Sequence, residues 1–572
     1  MRLLRRFAVI VAAAALMVVM TSAPASAHAI LLRTEPSAQT TMSRAPSAVR
    51  LFFSESVEVT FGSVRVFDVD AHRVDAGRID SADGGRAITV PVGHLRNGTY
   101  TSTWRVVSSD GHAVHGGFGF YVGSPSTISA AAVPAENGAG RVVGWGFGAA
   151  RFAWFAALFV VIGVVVVRRW IWTPAVFSLG LGASPAALAF RRRSSWLLVA
   201  SWAVLLGSGI AALVFEAASI SGLSLARSAR LSVLGEVLHT AYGRYWQAAT
   251  LLTVVALIPV VGLVRRRGLL GLSPDVWIAM LLALTAGSSL TAGLNGHARA
   301  LPRSAVGVTS VALHLMAVAV WVGGLGVLVG AGFGAWRRLD RDDRVRFAPL
   351  LLRRFGRVAF VAVAVVVVTG VANAVLDLAH PSDLWATAYG QVVTAKVVLL
   401  AAALGLAARH RWVVPGRINN VGDGRVRRFE WSAATELALL VSATAAAAGL
   451  IALVPGRSLA LAAAGPVNLE RRSGGYTVQV FLDPSRIGSN QVHLTFVNPQ
   501  GLGAAEVNAA DATVLAPGTV PGAVGLRLIA PGHFVGDVTL RARATYRLTV
   551  SAQGASGRFS TQFSFRPAQG PG

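Results

Sequence analysis

Apolar residues gather into long unbroken runs in the middle of this chain and into short alternating ones towards both ends. Eight long runs lie around 145–167, 195–215, 246–264, 275–294, 306–332, 357–377, 388–408 and 432–454. Each approaches the ~20 residues an α-helix needs to cross a bilayer. Before them, short β-branched and aromatic runs at 49–53, 62–67, 87–91, 99–107 and 116–122 are separated by turn residues such as Asn97-Gly98. After them, similar runs occur at 476–482, 492–497 and 544–550. Short runs of this kind predict strands, and many at regular spacing imply a sandwich or Greek-key barrel. The expected fold is mixed: an N-terminal all-β barrel of Ig-like type, an eight-helix α transmembrane bundle and a small C-terminal β-sandwich.

Charge sharpens the picture. The connections after the first, third, fifth and seventh runs hold 22 arginines, against 5 in the intervening ones. The positive-inside rule then puts the odd-numbered connections in the cytoplasm and both β-domains outside a cytoplasmic membrane. Most of the net charge of +26 is therefore a topology signal, and a nucleic-acid partner is not expected. Of the 572 residues, 54% are hydrophobic and 14% charged, as a polytopic membrane protein requires. There is no cysteine, so neither disulfides nor thiolate ligands are available. Three of the six methionines, Met1, Met17 and Met20, precede residue 28, and Met42 is the only one in the first β-region, too few for a methionine-rich Cu(I) site there.

Residues 1–27 have the form of a secretory signal peptide: Arg2, Arg5 and Arg6, an apolar stretch over 7–20, then Ala25-Ser26-Ala27. Cleavage after Ala27 makes His28 the first residue of the mature chain. A terminal histidine offers its α-amine and its imidazole to one metal ion, and an amine of pKa about 7.7–8.0 loses its proton to a cation near neutrality. Further on, Ser108-Ser109-Asp110-Gly111-His112 places Asp110 and His112 two residues apart, on one side of an extended segment. Together with His28 they form a nitrogen-rich set with one carboxylate oxygen, which suits Cu(II).

These residues resemble the periplasmic copper-binding family CopC. The likeness runs through His28-Ala29, the Pro36 turn, Leu51-Phe52-Phe53-Ser54-Glu55, Gly98-Thr99-Tyr100 and the block from Trp104 to His112, over essentially all of 28–123. It implies a cupredoxin-like β-barrel that binds Cu(II) through the N-terminal amine, His28, Asp110 and His112. His115 is a weaker candidate ligand, while His72 and His94 are expected at the solvated surface. A Ser-, Ala-, Pro- and Gly-rich stretch over 124–142 is expected to act as a flexible tether to the membrane region, 143–455.

Ionisable residues at membrane depth are costly and usually functional. His297, after the fourth run, and His314, within the fifth, are expected near the outer leaflet, where metal arriving from outside would enter. Met316 and Met280 are the other soft ligands in this region. Lys396 and Glu436, in the seventh and eighth runs, fit a structural ion pair or part of a cation path, and His239 is a further candidate. The run Gly296-His297-Ala298, His314 with Trp321-Val322-Gly323-Gly324-Leu325, Arg354-Phe355-Gly356, Thr369-Gly370-Val371-Ala372-Asn373-Ala374, Tyr389-Gly390 with Lys396, and Glu436 resemble the CopD family of copper-transporting membrane proteins.

The C-terminal region, 457–572, loosely resembles the accessory β-domain of some longer copper-uptake fusions, and its His493 and His533 read more readily as structural than as ligands. The expected function is copper import: Cu(II) captured outside, handed to the membrane helices and moved inward, with copper ion and the lipid bilayer as partners. No Gly-x-x-x-x-Gly-Lys-Ser/Thr motif is present, so movement is expected to be passive or gradient-driven. An enzyme is not expected, because Asp110 would occupy a copper position that oxygen chemistry needs open. Two alternatives stand beside import: copper resistance by extracytoplasmic sequestration or efflux, and a membrane redox protein holding haem or copper. The sequence sets no oligomeric state.

Overall fold

Alternation of buried and exposed side chains builds the first β-domain. In the computed structural model the described residues are 29–567, apart from 30, 38–39, 54, 60–63, 70–71, 109–112, 124–140, 222, 266–270, 297, 299–303, 413–422, 451–452, 454–466, 484, 486, 498–503, 505, 531 and 556. Nine strands precede the helices: β1 Leu31–Glu35, β2 Thr41–Met42, β3 Ala48–Phe53, β4 Val57–Glu58, β5 Val64–Phe67, β6 Asp80–Ala82, β7 Ala87–Pro91, β8 Gly98–Ser108 and β9 Ala113–Val122. One sheet runs β1-β3-β7-β6 and the other β2-β9-β8-β4, with β5 also on β8. Val49, Leu51 and Phe53 of β3, Ile88 and Val90 of β7, Tyr100, Trp104 and Val106 of β8, and Phe118 and Phe120 of β9 all face one shared core. Side chains with a period of two from both sheets thus meet in the middle, as a β-sandwich demands. Phe53 and Trp104 lock the layers edge to face, with ring centroids 5.4 Å apart.

A second β-domain follows the helices. Its strands are β10 Val467–Ser473, β11 Tyr476–Asp483, β12 Gly488–Val497, β13 Ala510–Leu515, β14 Gly522–Val524, β15 Arg527–Ala530, β16 His533–Leu540, β17 Tyr546–Gly554 and β18 Gly557–Phe565. They form a five-stranded sheet, β10-β11-β12-β16-β15, and a four-stranded one, β14-β13-β17-β18. Val478, Val480, Leu494 and Phe496 from one sheet pack on Leu548, Val550 and Phe563 from the other. Residues 28–137 and 457–572, far apart in sequence, belong to one compact body.

Between them in sequence, among the described residues, come eight helices long and apolar enough to cross a membrane: α1 Val142–Phe177, α2 Pro185–Ser221, α3 Ala241–Val264, α4 Pro274–Leu294, α5 Ser304–Trp336, α6 Arg341–Asp377, α7 Ala388–Ala408 and α8 Phe429–Leu450. Helix α1 is central and packs on α2, α5 and α8, while α5 packs on α4 and α6 and α7 on α8. Contact with α5 is close because both helices carry glycine there: a Cβ on Gly323 would lie 1.8 Å from the Phe159 carbonyl oxygen, and one on Gly163 would lie 2.2 Å from the Gly323 carbonyl carbon. Helix α5 widens to π-helical turns at Ala319–Gly323 and Leu328–Gly332. The Trp321-Val322-Gly323-Gly324 run is thus where two helix backbones touch.

Ion pairs join helix ends that share a side of the bundle. The Arg169 Nε donates to Asp275 Oδ1 at 2.7 Å, tying the end of α1 to the start of α4. The Arg337 guanidinium, just past α5, holds both oxygens of Glu430 at the start of α8. Arg168 is anchored on Ser194 and Ser195 of α2, at 2.8 and 2.6 Å.

Candidate metal centre and membrane polar column

His28, Asp110, His112 and His297 lie outside the described residues. What flanks the first three converges on one end of the first β-domain. Ala29 is fully buried in the core, and Leu31 opens β1 opposite Phe53 of β3. Four residues beyond Phe53, Val57 of β4 pairs with Ser108, the last residue of β8. Val107 of β8 pairs with Ala113, the first residue of β9. The described residues that flank His28 and the 109–112 segment therefore lie at the same end of the sandwich. His115 sits on β9 opposite Arg105. His72 and His94 are exposed, and His72 stays near Asp68, its Nδ1 3.5 Å from Oδ2.

At the other edge of this domain, Asp75 accepts from the Arg73 Nε at 2.8 Å and from the backbone N–H groups of Val66 and Gly77 at 3.0 and 3.1 Å. Burial opposes its ionisation, but these donors outweigh burial and hold its carboxyl below the usual carboxylate range.

Within the helices, His314 lies ten residues, about 15 Å, into α5. Its Nδ1 is 2.9 Å from Thr369 Oγ1 on α6. The Thr369 hydroxyl hydrogen already goes to the Val365 carbonyl, at 2.6 Å. The threonine can therefore only accept from the ring. Nδ1 carries the proton, and Nε2 of the neutral imidazole is left with its lone pair. This is the arrangement by which a second residue orients a metal-ligating histidine. Gly370 lies beside the ring, where a Cβ would stand at ordinary contact distance, 3.5 Å, from His314 Cε1.

Met316 follows two positions later, so it projects to a different face of α5 from His314. It packs at the margin of the membrane core. Met280 is half-buried on α4. His239 is exposed and its Nδ1 bonds the Gly235 carbonyl within its own short helix, Leu231–His239, at 2.7 Å.

Lys396, eight residues into α7, interacts electrostatically with Asp377, the last residue of α6, and with His314. Asp377 Oδ2 accepts from the Tyr389 hydroxyl at 2.6 Å. A polar column thus runs from Asp377 and Tyr389 at the helix ends inward to Lys396, His314 and Thr369. Glu436 is buried on α8 and is engaged by its neighbours. Lys396 and His314 stand out in the sequence but Asp377 does not; its signal is an acid at the very end of an apolar run, 12 residues before Tyr389.

Residues 31–123 match the CopC domain family, residues 142–304 the copper resistance protein D-like N-terminal domain, and residues 349–450 copper resistance protein D. The chain is a CopC–CopD fusion. Among its relatives, copper transport protein CutJ of Bacillus subtilis is 26% identical over 73% of this chain and 73% of its own length. Copper resistance protein C of Xanthomonas campestris pv. juglandis is 36% identical over 18% of this chain and 86% of its own. The crystal structure of CopC from Methylosinus trichosporium OB3b aligns at 34% identity with 17% of this chain and 95% of that one, with a TM-score of 0.16. The CopC–CopD fusion is therefore a multi-pass membrane protein of a copper transport and resistance family, and its N-terminal domain is of a copper-binding type.

Proposed function

We propose that this CopC–CopD fusion imports copper across the cytoplasmic membrane. Cu(II) is captured outside by the α-amine and ring of His28, with Asp110 and His112, and passes to the helices at His297 and His314. The observation that carries the reading is the His314–Thr369 hydrogen bond, which leaves Nε2 as the unprotonated nitrogen of an imidazole at membrane depth in a chain that also bears a copper-binding domain. A buried polar group is retained in an apolar bundle at a cost, and a neutral Nε2 lone pair is what a passing copper ion needs.

The direction follows from the covalent link. A tight receptor on the same chain and the same side as the exit would recapture whatever an exporter released. Capture by His28 displaces the amine proton, so uptake through it weakens as the medium becomes acidic.

The test is cellular copper content at limiting external copper, comparing the wild type with His297→Ala/His314→Ala at equal expression. Import predicts accumulation above the empty-vector level, lost in the double variant. Accumulation at or below that level in the wild type would overturn import in favour of sequestration or efflux.

A further inference from the structure

Part of the outer face of the five-stranded C-terminal sheet, around His493 and His533, is dry where an isolated sandwich would leave it wet. On β12, Val492, Leu494 and Phe496 point into the sandwich core, so Gln491, His493 and Thr495 project to the opposite face. His493 pairs with Val535 and Thr495 with His533, which sets the two histidines diagonally adjacent on that outer face. Yet His493 is 1% exposed and His533 2%, and Phe481, Thr495 and Val535 around them are buried too. Tyr121 of β9 provides part of the cover, its ring meeting that of His533 edge-on with centroids 6.1 Å apart. The histidine pair lies in the seam between the two β-domains.

The hydrogen bonds fix the tautomers. The Gln491 Oε1 accepts from His493 Nε2 at 3.0 Å, so His493 Nδ1 is bare and accepts from His533 Nε2 at 3.2 Å. That leaves the lone pair of His533 Nδ1 buried with no hydrogen-bond partner among the described residues. Such an orphan costs about 1–3 kcal/mol and asks for an explanation. Burial also holds both rings neutral well below pH 6.5, which keeps their lone pairs available.

We propose that His493 and His533 form a site for Cu(I), held between Nδ1 of His493 and Nε2 of His533 in place of the hydrogen they now share. Imidazole suits copper. No group of three His, Cys, Asp or Glu is assembled among the described residues, so no carboxylate or thiolate is gathered to neutralise a divalent ion, and burying two uncompensated charges is prohibitive. A monovalent d10 ion is content with two ligands in line. The ring nitrogens must part from 3.2 Å to about 4 Å, twice a metal–imidazole bond of ~2 Å. The proton leaving His533 Nε2 moves to the bare Nδ1, so two nitrogen–copper bonds form, one N–H breaks, another forms, and both rings stay neutral. Copper enters as Cu(I), and no electron is transferred at the site.

This site is separate from the one proposed at His28, Asp110 and His112. Tyr121 pairs with Thr99 while Ala113 pairs with Val107, so Tyr121 lies eight residues along β9 from Ala113, about 27 Å at ~3.4 Å per residue.

The test is an anaerobic titration of the full-length protein in detergent with Cu(I), in competition with a chromophoric Cu(I) chelator. Wild type is expected to take up one Cu(I) more than His533→Asn. Gln491→Ala keeps both rings and loses only the acceptor that orients His493, and should retain that equivalent with affinity about 10- to 100-fold weaker. Equal stoichiometry in wild type and folded His533→Asn overturns the proposal. Should His533→Asn fail to fold, Gln491→Ala decides: unchanged Cu(I) affinity overturns it. Neither readout depends on the direction of transport, so failure here leaves the import reading standing, and the converse also holds.

Discussion

Thr369 has one hydroxyl hydrogen, and where it goes settles the chemistry of His314. Because that hydrogen is spent on the Val365 carbonyl, the histidine must donate through Nδ1 and keep Nε2 unprotonated. Thr369→Val keeps the shape and removes the acceptor. Copper uptake is then expected to fall about 10- to 100-fold at unchanged expression, with Thr369→Ser restoring it. A purely packing role for Thr369 would leave uptake intact in the valine variant. In the first β-domain, Asp75 offers a check on stability. Its carboxyl is held below its ordinary range, so the stability it contributes is present above about pH 4 and lost as the pH falls through its lower native value. Asp75→Asn should lower the unfolding temperature at neutral pH and flatten its decline in acid, as followed by thermal melts between pH 3 and 7. The histidines and the Asp110-Gly111-His112 run were legible as residues, since their types and spacing speak of metal. Their partners were not. Nothing in the composition around Thr369, 55 residues from His314, says that its hydroxyl will meet that ring.

At the scale of elements, the eight helices were legible because a bilayer demands some 20 apolar residues and little else produces that run. Their internal irregularities were hidden. The π-helical turns of α5 and the backbone contact at Gly163 and Gly323 arise from the packing of α1 on α5, which no local propensity announces. Gly323→Ala forces a methyl group against the Phe159 carbonyl, and overpacking of this kind costs roughly 1–3 kcal/mol. The purified variant should melt at a lower temperature in detergent, whereas Gly207→Ala, at a position open to space, should not. Several strands of the C-terminal domain, β13, β16 and β18 among them, went unannounced: Gly536 and Asp537 interrupt β16, and small or polar residues such as Ala512 and Thr561 stand at inward positions of β13 and β18. The pairing of His493 with His533 depends on β12 and β16 lying in one particular register. Short strands 40 residues apart carry no local signal of it.

For the molecule as a whole, the mixed fold, a helical bundle with a β-domain before and another after it in sequence, followed from the contrast of long apolar runs with short alternating ones. The docking of the β-domains on each other did not, because the face that docks is read from sequence as an ordinary half-polar sheet. That docking has a consequence in arithmetic. A body made of residues 28–137 and 457–572 held on one face of a bilayer requires an even number of crossings between its halves, and the eight helices among the described residues satisfy this. Losing or gaining one span would put the halves on opposite faces and part Tyr121 from His533 without altering a residue of either domain. Spans in this architecture can be added or removed only in pairs; the seam enforces parity on the membrane.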